Sequence, residues 1–324
     1  MALLEIEDLS VAFGPAENAT TVVDGVDFTV DRHETVALVG ESGSGKSVTA
    51  LTIMRLLQEP GRMTRGAIRF EGRDLARLGE REMAAIRGDR IAMIFQEPMS
   101  SLNPLLSIGA HVAEPLRLHR GLSKREARAR AITLLDRVGI PSAAQRYDDY
   151  PHRMSGGMRQ RVMIAAALAC DPALLIADEP TTALDVTIQA QITDLLADLQ
   201  AEFGMGVLFI THDLGVVAEQ AHRVVVMYAG KVVERAATAT LFESAAHPYS
   251  AALLRCMPGD DEKTDERLAV IEGTVPAPTA LPAGCRFEPR CPQAIAACRT
   301  EEPPLLALAA DHAAACLKPL VAAR

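Results

Sequence analysis

Tryptophan is absent from this chain and aromatic residues make up only 4% of it, so core packing must fall to Leu, Val, Ile, Ala and Met. Long apolar runs are missing as well. The longest, VMIAAALACDPALLIA, is interrupted by Asp171 and Pro172 and falls short of the roughly 18 residues a membrane-spanning helix needs. The opening MALLEIEDLSVAF carries acidic residues early and lacks a basic stretch leading into an apolar one, so it does not have the form of a secretory signal. These features predict a cytosolic chain, or one attached to a membrane through a partner. Basic charge is in deficit: 33 Lys and Arg against 42 Asp and Glu give a net charge of -9, which argues against a nucleic-acid binder. Cysteine is scarce, with six residues, yet Cys285, Cys291, Cys298 and Cys316 crowd towards the chain's end. A reducing compartment disfavours structural disulfides and turns the question towards metal.

The chain has 324 residues, 49% of them hydrophobic and 23% charged, which suits a large core domain plus an appendage. LLEIEDLSVAF, TVVDGVDFTV, ETVALVG, GAIRFEGRDL and DRIAMIFQ read as strands, the third nearly all apolar and so a candidate for a sheet buried on both faces. KSVTALTIMRLL reads as a helix stopped by Glu59-Pro60-Gly61. Residues 107 to about 140 read as helical, with Ser123 and Glu126 in capping-box spacing and Gly139 at the end. From 155 onward the order is helix (GGMRQRVMIAAALA), strand (ALLIAD), helix (VTIQAQITDLLADLQAEF), strand (GVLFIT) and hairpin (RVVVMYAGKVVE). That alternation implies an α/β fold with a parallel sheet. After about residue 235 Ala, Pro and Gly become frequent and periodicity fades. The expected division is therefore a domain over 1–235 and a second over 236–324.

GESGSGKS, Gly40 to Ser47, follows the strand ETVALV and opens a helix, the setting that gives the phosphate-loop pattern its meaning. Gly40, Ser42, Gly43, Ser44 and Gly45 let backbone N–H groups curl around phosphate oxygens at a helix N-terminus. Lys46 would reach the β- and γ-phosphates and the Ser47 hydroxyl would ligate Mg²⁺, with Thr49 in the first turn behind them. LLIADEP carries an apolar strand to Asp178, a candidate Mg²⁺ ligand, and Glu179, a candidate base for the attacking water. In MSGGMRQR, Ser155 can cap a helix whose first N–H groups Gly156 and Gly157 leave bare. On its own such a start is an ordinary helix cap.

Taken together and in this order, the motifs resemble the ATP-binding subunit of an ABC transporter. GESGSGKS resembles its Walker A, LLIADEP its Walker B, MSGGMRQR its signature and TALD (Thr182 to Asp185) its D-loop. Gln96 in IFQEP resembles the Q-loop glutamine, His212 in FITHD the switch histidine and Phe13 in SVAFG the adenine-stacking aromatic. The resemblance covers residues 3 to about 235. The signature departs from the commonest LSGGQ form at Met154 and Met158 and keeps Ser-Gly-Gly. It implies a P-loop NTPase, RecA-like core with an antiparallel β subdomain and a helical subdomain at about 100–162. Glu179, His212 and Gln96 would be catalytic, and Ser47, Gln96 and Asp178 would surround Mg²⁺ beside ATP. It also implies ATP held between Lys46 of one subunit and the Ser155-Gly156-Gly157 of a second ATPase subunit, either a paralogue or an identical copy. Two membrane permease subunits and an external solute-binding protein would complete the assembly at the cytoplasmic face of the inner membrane. SGGMRQRV, DEPTTALDVTIQAQI, HPYSAALL and GCRFEPRCP further resemble the oligopeptide/dipeptide importer branch, with nickel or another small solute, or a non-transport ATPase, as alternatives.

The cysteine spacing, C-x5-C-x6-C-x17-C, lacks the close-set pairs of structural zinc sites. From chemistry alone an iron–sulfur cluster, zinc and unliganded thiols all stay open. The resemblance to the importer branch implies a small C-terminal domain in which Cys285, Cys291, Cys298 and Cys316 hold a [4Fe–4S] cluster. Cys170 and Cys256 read as ordinary buried thiols.

Overall fold

A computed structural model of the chain describes residues 2–97, 101–182, 184–257 and 270–321. It divides into two compact units, each built from more than one stretch of chain. The first comprises Met1–Leu4, Val30–Glu34 and Phe70–Ile210; the second comprises Glu5–Thr29, Thr35–Arg69 and Thr211–Arg324.

The first unit is built on parallel strands. Leu174–Asp178 lies between Ile91–Ile94 and Gly206–Thr211, in register at Ile91↔Leu174 and Leu174↔Gly206. Every residue of the central strand and of Gly206–Thr211 is buried, which is why both read as unbroken apolar runs rather than alternating ones. Helices Ile108–His119, Lys124–Arg137 and Gly156–Ala167 pack on one another as a helical layer. The single helical stretch expected over 107–140 is in fact two helices, parted where Gly121 takes φ 65°. The second of them starts on the expected capping box. Glu126 N–H donates to the Ser123 hydroxyl at 3.3 Å, and Ser123 N–H donates to the Glu126 carboxylate at 2.9 Å. Helix Val186–Phe203 is capped by Asp185, which accepts from Ile188 N–H, and closes at Gly204 with φ 63°.

In the second unit, Thr35–Val39 pairs in parallel with Arg223–Tyr228, which turns through Ala229-Gly230 into antiparallel Lys231–Ala237. The sheet then continues into the C-terminal segment, since His312–Ala314 pairs with Lys231–Ala237 and Leu306–Ala309 with His312–Ala314. A separate sheet places Leu4–Phe13 between Thr20–Val30 and Arg62–Phe70. Helix Lys46–Ile53 stops four residues short of the predicted run, because the backbone reverses at Arg55 with φ 51°.

Past residue 236, where the periodicity of the sequence fades, stand helices Thr238–Ser244 and Pro248–Arg255. Buried Glu234 holds this region in place. Its carboxyl group accepts from the N–H of Ala246 (2.7 Å) and His247 (2.8 Å) and bonds His312 Nε2 (2.7 Å), so both buried oxygens are hydrogen-bonded. Tyr228, Tyr249 and Phe287 pack together in tilted and edge-to-face arrangements with ring centroids 4.7–5.3 Å apart. Burial of Phe287 alone contributes about 2 kcal/mol. Among the described residues no helix is long and apolar enough to cross a membrane.

Candidate nucleotide site

Within the second unit, buried strand Thr35–Val39 delivers the chain into Gly40–Gly45, and helix Lys46–Ile53 leaves it. Two glycines are required by geometry. A Cβ on Gly40 (φ 149°) would stand 2.2 Å from the Met227 carbonyl oxygen, and Gly45 caps the helix at φ 100°. The N-cap residue Gly45 has no side chain to cap this helix. The Lys46 ammonium lies on backbone carbonyls, Gly40 O at 2.7 Å and Glu41 O at 3.1 Å, with the Ser44 hydroxyl at 3.5 Å. A cradle of N–H groups with a lysine folded over it suits a polyphosphate. Thr49 is buried and its hydroxyl donates to Gly45 O at 3.0 Å, which makes it a brace for the loop rather than an open donor.

Glu41, which sequence reasoning passed over, is held from outside the loop. Its N–H donates to the Tyr249 hydroxyl at 2.9 Å, and its two carboxylate oxygens accept from Arg290 Nη1 (2.6 Å) and Nη2 (3.0 Å). The bidentate carboxylate raises the Arg290 pKa, and burial raises that of Tyr249. No local signal marks this link, because its partners lie 249 residues apart.

Also in the second unit, His212 is exposed at the end of strand Gly206–Thr211, followed by Asp213, which caps helix Leu214–Gln220. The half-buried Phe13 ring lies so close to Gly61 that a Cβ there would meet Phe13 Cε1 at 2.6 Å.

The first unit brings Gln96, Glu179 and Thr182 together. Gln96 Nε2 donates to Glu179 Oε2 at 3.0 Å, and the Thr182 hydroxyl donates to the same oxygen at 2.8 Å. Glu179 carries φ 45°, a left-handed conformation costing roughly 1–2 kcal/mol outside glycine, and its N–H is tied to Ile210 O at 2.9 Å. Asp178 beside it is buried at the strand end. Thr182 was legible as part of TALD but not as a partner of the glutamate; Ala183 of that motif lies outside the described residues. Ser155 caps helix Gly156–Ala167, its hydroxyl accepting from Met158 N–H at 3.3 Å. Gly157 is required by packing, because a Cβ there would meet Ile188 Cγ2 at 2.8 Å. Met154, the departure from the common signature, is buried and fills an apolar position as leucine would.

The four clustered cysteines carry free thiols. Cys285 N–H donates to Cys298 O at 2.8 Å. Burial raises the thiol pKa of Cys285, Cys291 and Cys316, and each is raised further by the charge of its neighbours in the set. The expected ligand set is not formed, however: among the described residues no three His, Cys, Asp or Glu side chains stand in an arrangement that could hold a metal ion. Cys291, Cys298 and Cys316 all lie within electrostatic reach of Cys285. Cys170 is buried as expected, and Cys256 is only half-buried.

Comparison with known proteins agrees with this geometry. The ABC transporter family matches residues 23–182, and the oligopeptide/dipeptide transporter C-terminal region matches residues 233–298. The chain is 54% identical over 305 residues to the oligopeptide transport ATP-binding protein AppD of Bacillus subtilis, covering 94% of this chain and 93% of that one. It is 51% identical over 320 residues to the dipeptide transport ATP-binding protein DppD of Escherichia coli, covering 99% and 98%. Among solved structures it resembles the dimeric ATP-binding cassette MJ0796 bound to ADP and Pi, with TM-score 0.65 and 30% identity over 72% of this chain and 98% of that one. The chain belongs to the ABC transporter ATPases, an α/β cassette of mixed sheets and helices. Within that family it falls in the oligopeptide/dipeptide branch, and its activity is ATP hydrolysis coupled to transport.

Proposed function

We propose that the chain drives import of di- or oligopeptides, as the names of AppD and DppD state for those proteins, and that the nucleotide-binding domain spans 1–235 with an appended domain over 236–324. The observation that carries the catalytic assignment is the Gln96–Glu179–Thr182 group at the end of a buried strand. Two donors fix one oxygen of the Glu179 carboxylate, which orients the base that would take a proton from the attacking water. Lys46 and the loop N–H groups would bind the phosphates, and Ser47, Gln96 and Asp178 would surround the Mg²⁺ that accompanies ATP. Phe13 would stack on the base and His212 would contact the γ-phosphate end. Ser155, Gly156 and Gly157 would serve nucleotide bound to a second ATPase subunit; the dimeric structure of MJ0796 supports that arrangement. Two permeases would dock on the helical layer, where Leu105 stands 82% exposed, and an external solute-binding protein would deliver the cargo. The chain would then sit on the cytoplasmic face of the inner membrane through its partners.

Glu179→Gln tests the assignment: ATP binding is retained while turnover falls at least about a hundredfold. Hydrolysis at the wild-type rate would refute the base. Nickel uptake without peptide uptake by the reconstituted transporter would refute the cargo.

For the thiol neighbourhood we propose a [4Fe–4S] cluster over zinc. Four free thiols within each other's electrostatic reach support it. The cluster would require the segment to tighten around it and would act as a staple for a region with little core of its own. Anaerobic purification with iron and sulfide analysis tests it, and a colourless protein with stoichiometric zinc would overturn it.

A further inference from the structure

The segment CRFEPRC carries two arginines between its cysteines; Arg290 bonds the phosphate loop itself, and Arg286 bonds the turn that touches it. Arg286 Nη1 donates to Ala229 O at 2.6 Å and its Nη2 to Asp24 Oδ2 at 2.5 Å. The next residue in that turn, Gly230, donates its N–H to Ser44 O of the loop at 3.0 Å and accepts from Asp24 N–H at 2.9 Å. Arg290 acts directly on Glu41, the first variable position of the loop.

Arg290 is the fixed half of that pair. Its side chain is 4% exposed, Nε donates to Glu272 O at 2.9 Å, Nη2 also reaches Ile271 O at 3.1 Å, and Nη1 reaches the Tyr228 hydroxyl at 3.3 Å. Glu41 is the held half. Its carboxylate is clamped by Arg290, its N–H by Tyr249, and its carbonyl receives Lys46 Nζ. Wherever Arg290 puts Glu41, the resting place of the phosphate-binding lysine follows. Charge adds a second effect: a carboxylate one residue from Gly40 would repel a polyanionic ligand, and a bidentate guanidinium cancels it.

We propose that Arg290 is a positioning residue for nucleotide binding, which through Glu41 both fixes the phosphate loop and neutralises the carboxylate beside it. This rests on Gly40–Ser47 being the nucleotide loop.

The test is titration of the full-length chain with a fluorescent ATP analogue and Mg²⁺, together with steady-state ATP hydrolysis. Arg290→Met should raise Kd and KM on the order of tenfold while kcat stays within about threefold, because the loss falls on ground-state binding. Arg290→Lys should be intermediate, since an ammonium supplies a point charge without the fork. Adding Glu41→Gln to Arg290→Met should recover most of the lost affinity by removing the uncompensated charge. Arg299→Met, in the same segment but 77% exposed and paired with Glu288, should leave Kd unchanged. Wild-type affinity in Arg290→Met, or further weakening when Glu41→Gln is added, would overturn the inference. Should Arg290→Met fail to fold, Arg290→Lys with and without Glu41→Gln makes the same comparison. A wild-type chain with no affinity for the analogue would instead refute the loop assignment, and this inference with it.

Discussion

His247 offers a stability prediction whose size follows from its surroundings. Its side chain is buried, its Nδ1 accepts the Tyr249 N–H at 3.0 Å, and its own N–H is held by Glu234. Burial pushes its pKa down from 6.5 to about 3, so it is neutral in the folded chain throughout the physiological range. In the unfolded chain it takes up a proton below 6.5. The unfolded state therefore binds the extra proton, and folding stability, complete above pH 6.5, falls as the pH drops from 6.5 towards 3. The loss is about 1.4 kcal/mol at pH 5.5 and about 2 kcal/mol at pH 5.0. The perturbation is His247→Asn, which keeps an acceptor at the helix N-terminus but cannot titrate. Urea unfolding of wild type and variant, followed by circular dichroism at pH 7.5 and pH 5.0, isolates the histidine, since other groups cancel in the difference. Wild type should lose about 2 kcal/mol more than the variant over that interval. Equal losses would mean that a proton reaches the native imidazole without penalty, and the burial argument would be wrong.

Gly40→Ala should cost about 2–4 kcal/mol and abolish ATP binding, because its Cβ would sit 2.2 Å from the Met227 carbonyl; a melting curve and a nucleotide titration check it. Thr182→Val should lower kcat about fivefold with KM unchanged, since it removes one of the two donors that orient Glu179; steady-state hydrolysis reads both constants.

The parts of the site legible in the sequence are those in which the backbone itself dictates residue type. A loop that must reach φ 149° and 100° needs Gly40 and Gly45, and a strand buried on both faces must read as LLIA before its terminal Asp178. The Ser123–Glu126 box is legible for the same reason, as both partners lie within one turn. What escaped is long-range. Gln96 meets Glu179 across 83 residues. The strands LALA and HAA carry alanines of weak β propensity, and they exist because Lys231–Ala237 offers an edge to pair with. The apolar spacing of MRLL predicts helix beyond Ile53, and the helix ends there because the backbone turns at Arg55. Proximity in sequence groups the thiols, but sequence carries no information on whether their Sγ atoms converge.

The placement of the Arg290 clamp at Glu41 follows from the chemistry of the loop. In G-x-x-x-x-G-K-S the glycines, lysine and serine are constrained by backbone conformation and phosphate contact, so an appended segment can attach only at a variable position without disturbing them. Ser42 and Gly43 are exposed and Ser44 is buried against Gly230, which leaves Glu41 as the position whose side chain can face the second unit's own C-terminal segment. An attachment there must be polar enough to hold a loop that moves little, and it must not leave negative charge beside the phosphates. A glutamate answered by a buried bidentate arginine meets both conditions, and an arginine at 41 answered by a glutamate at 290 would not. It would put a mobile guanidinium next to the phosphate cradle, where it would compete with Lys46 for the same oxygens.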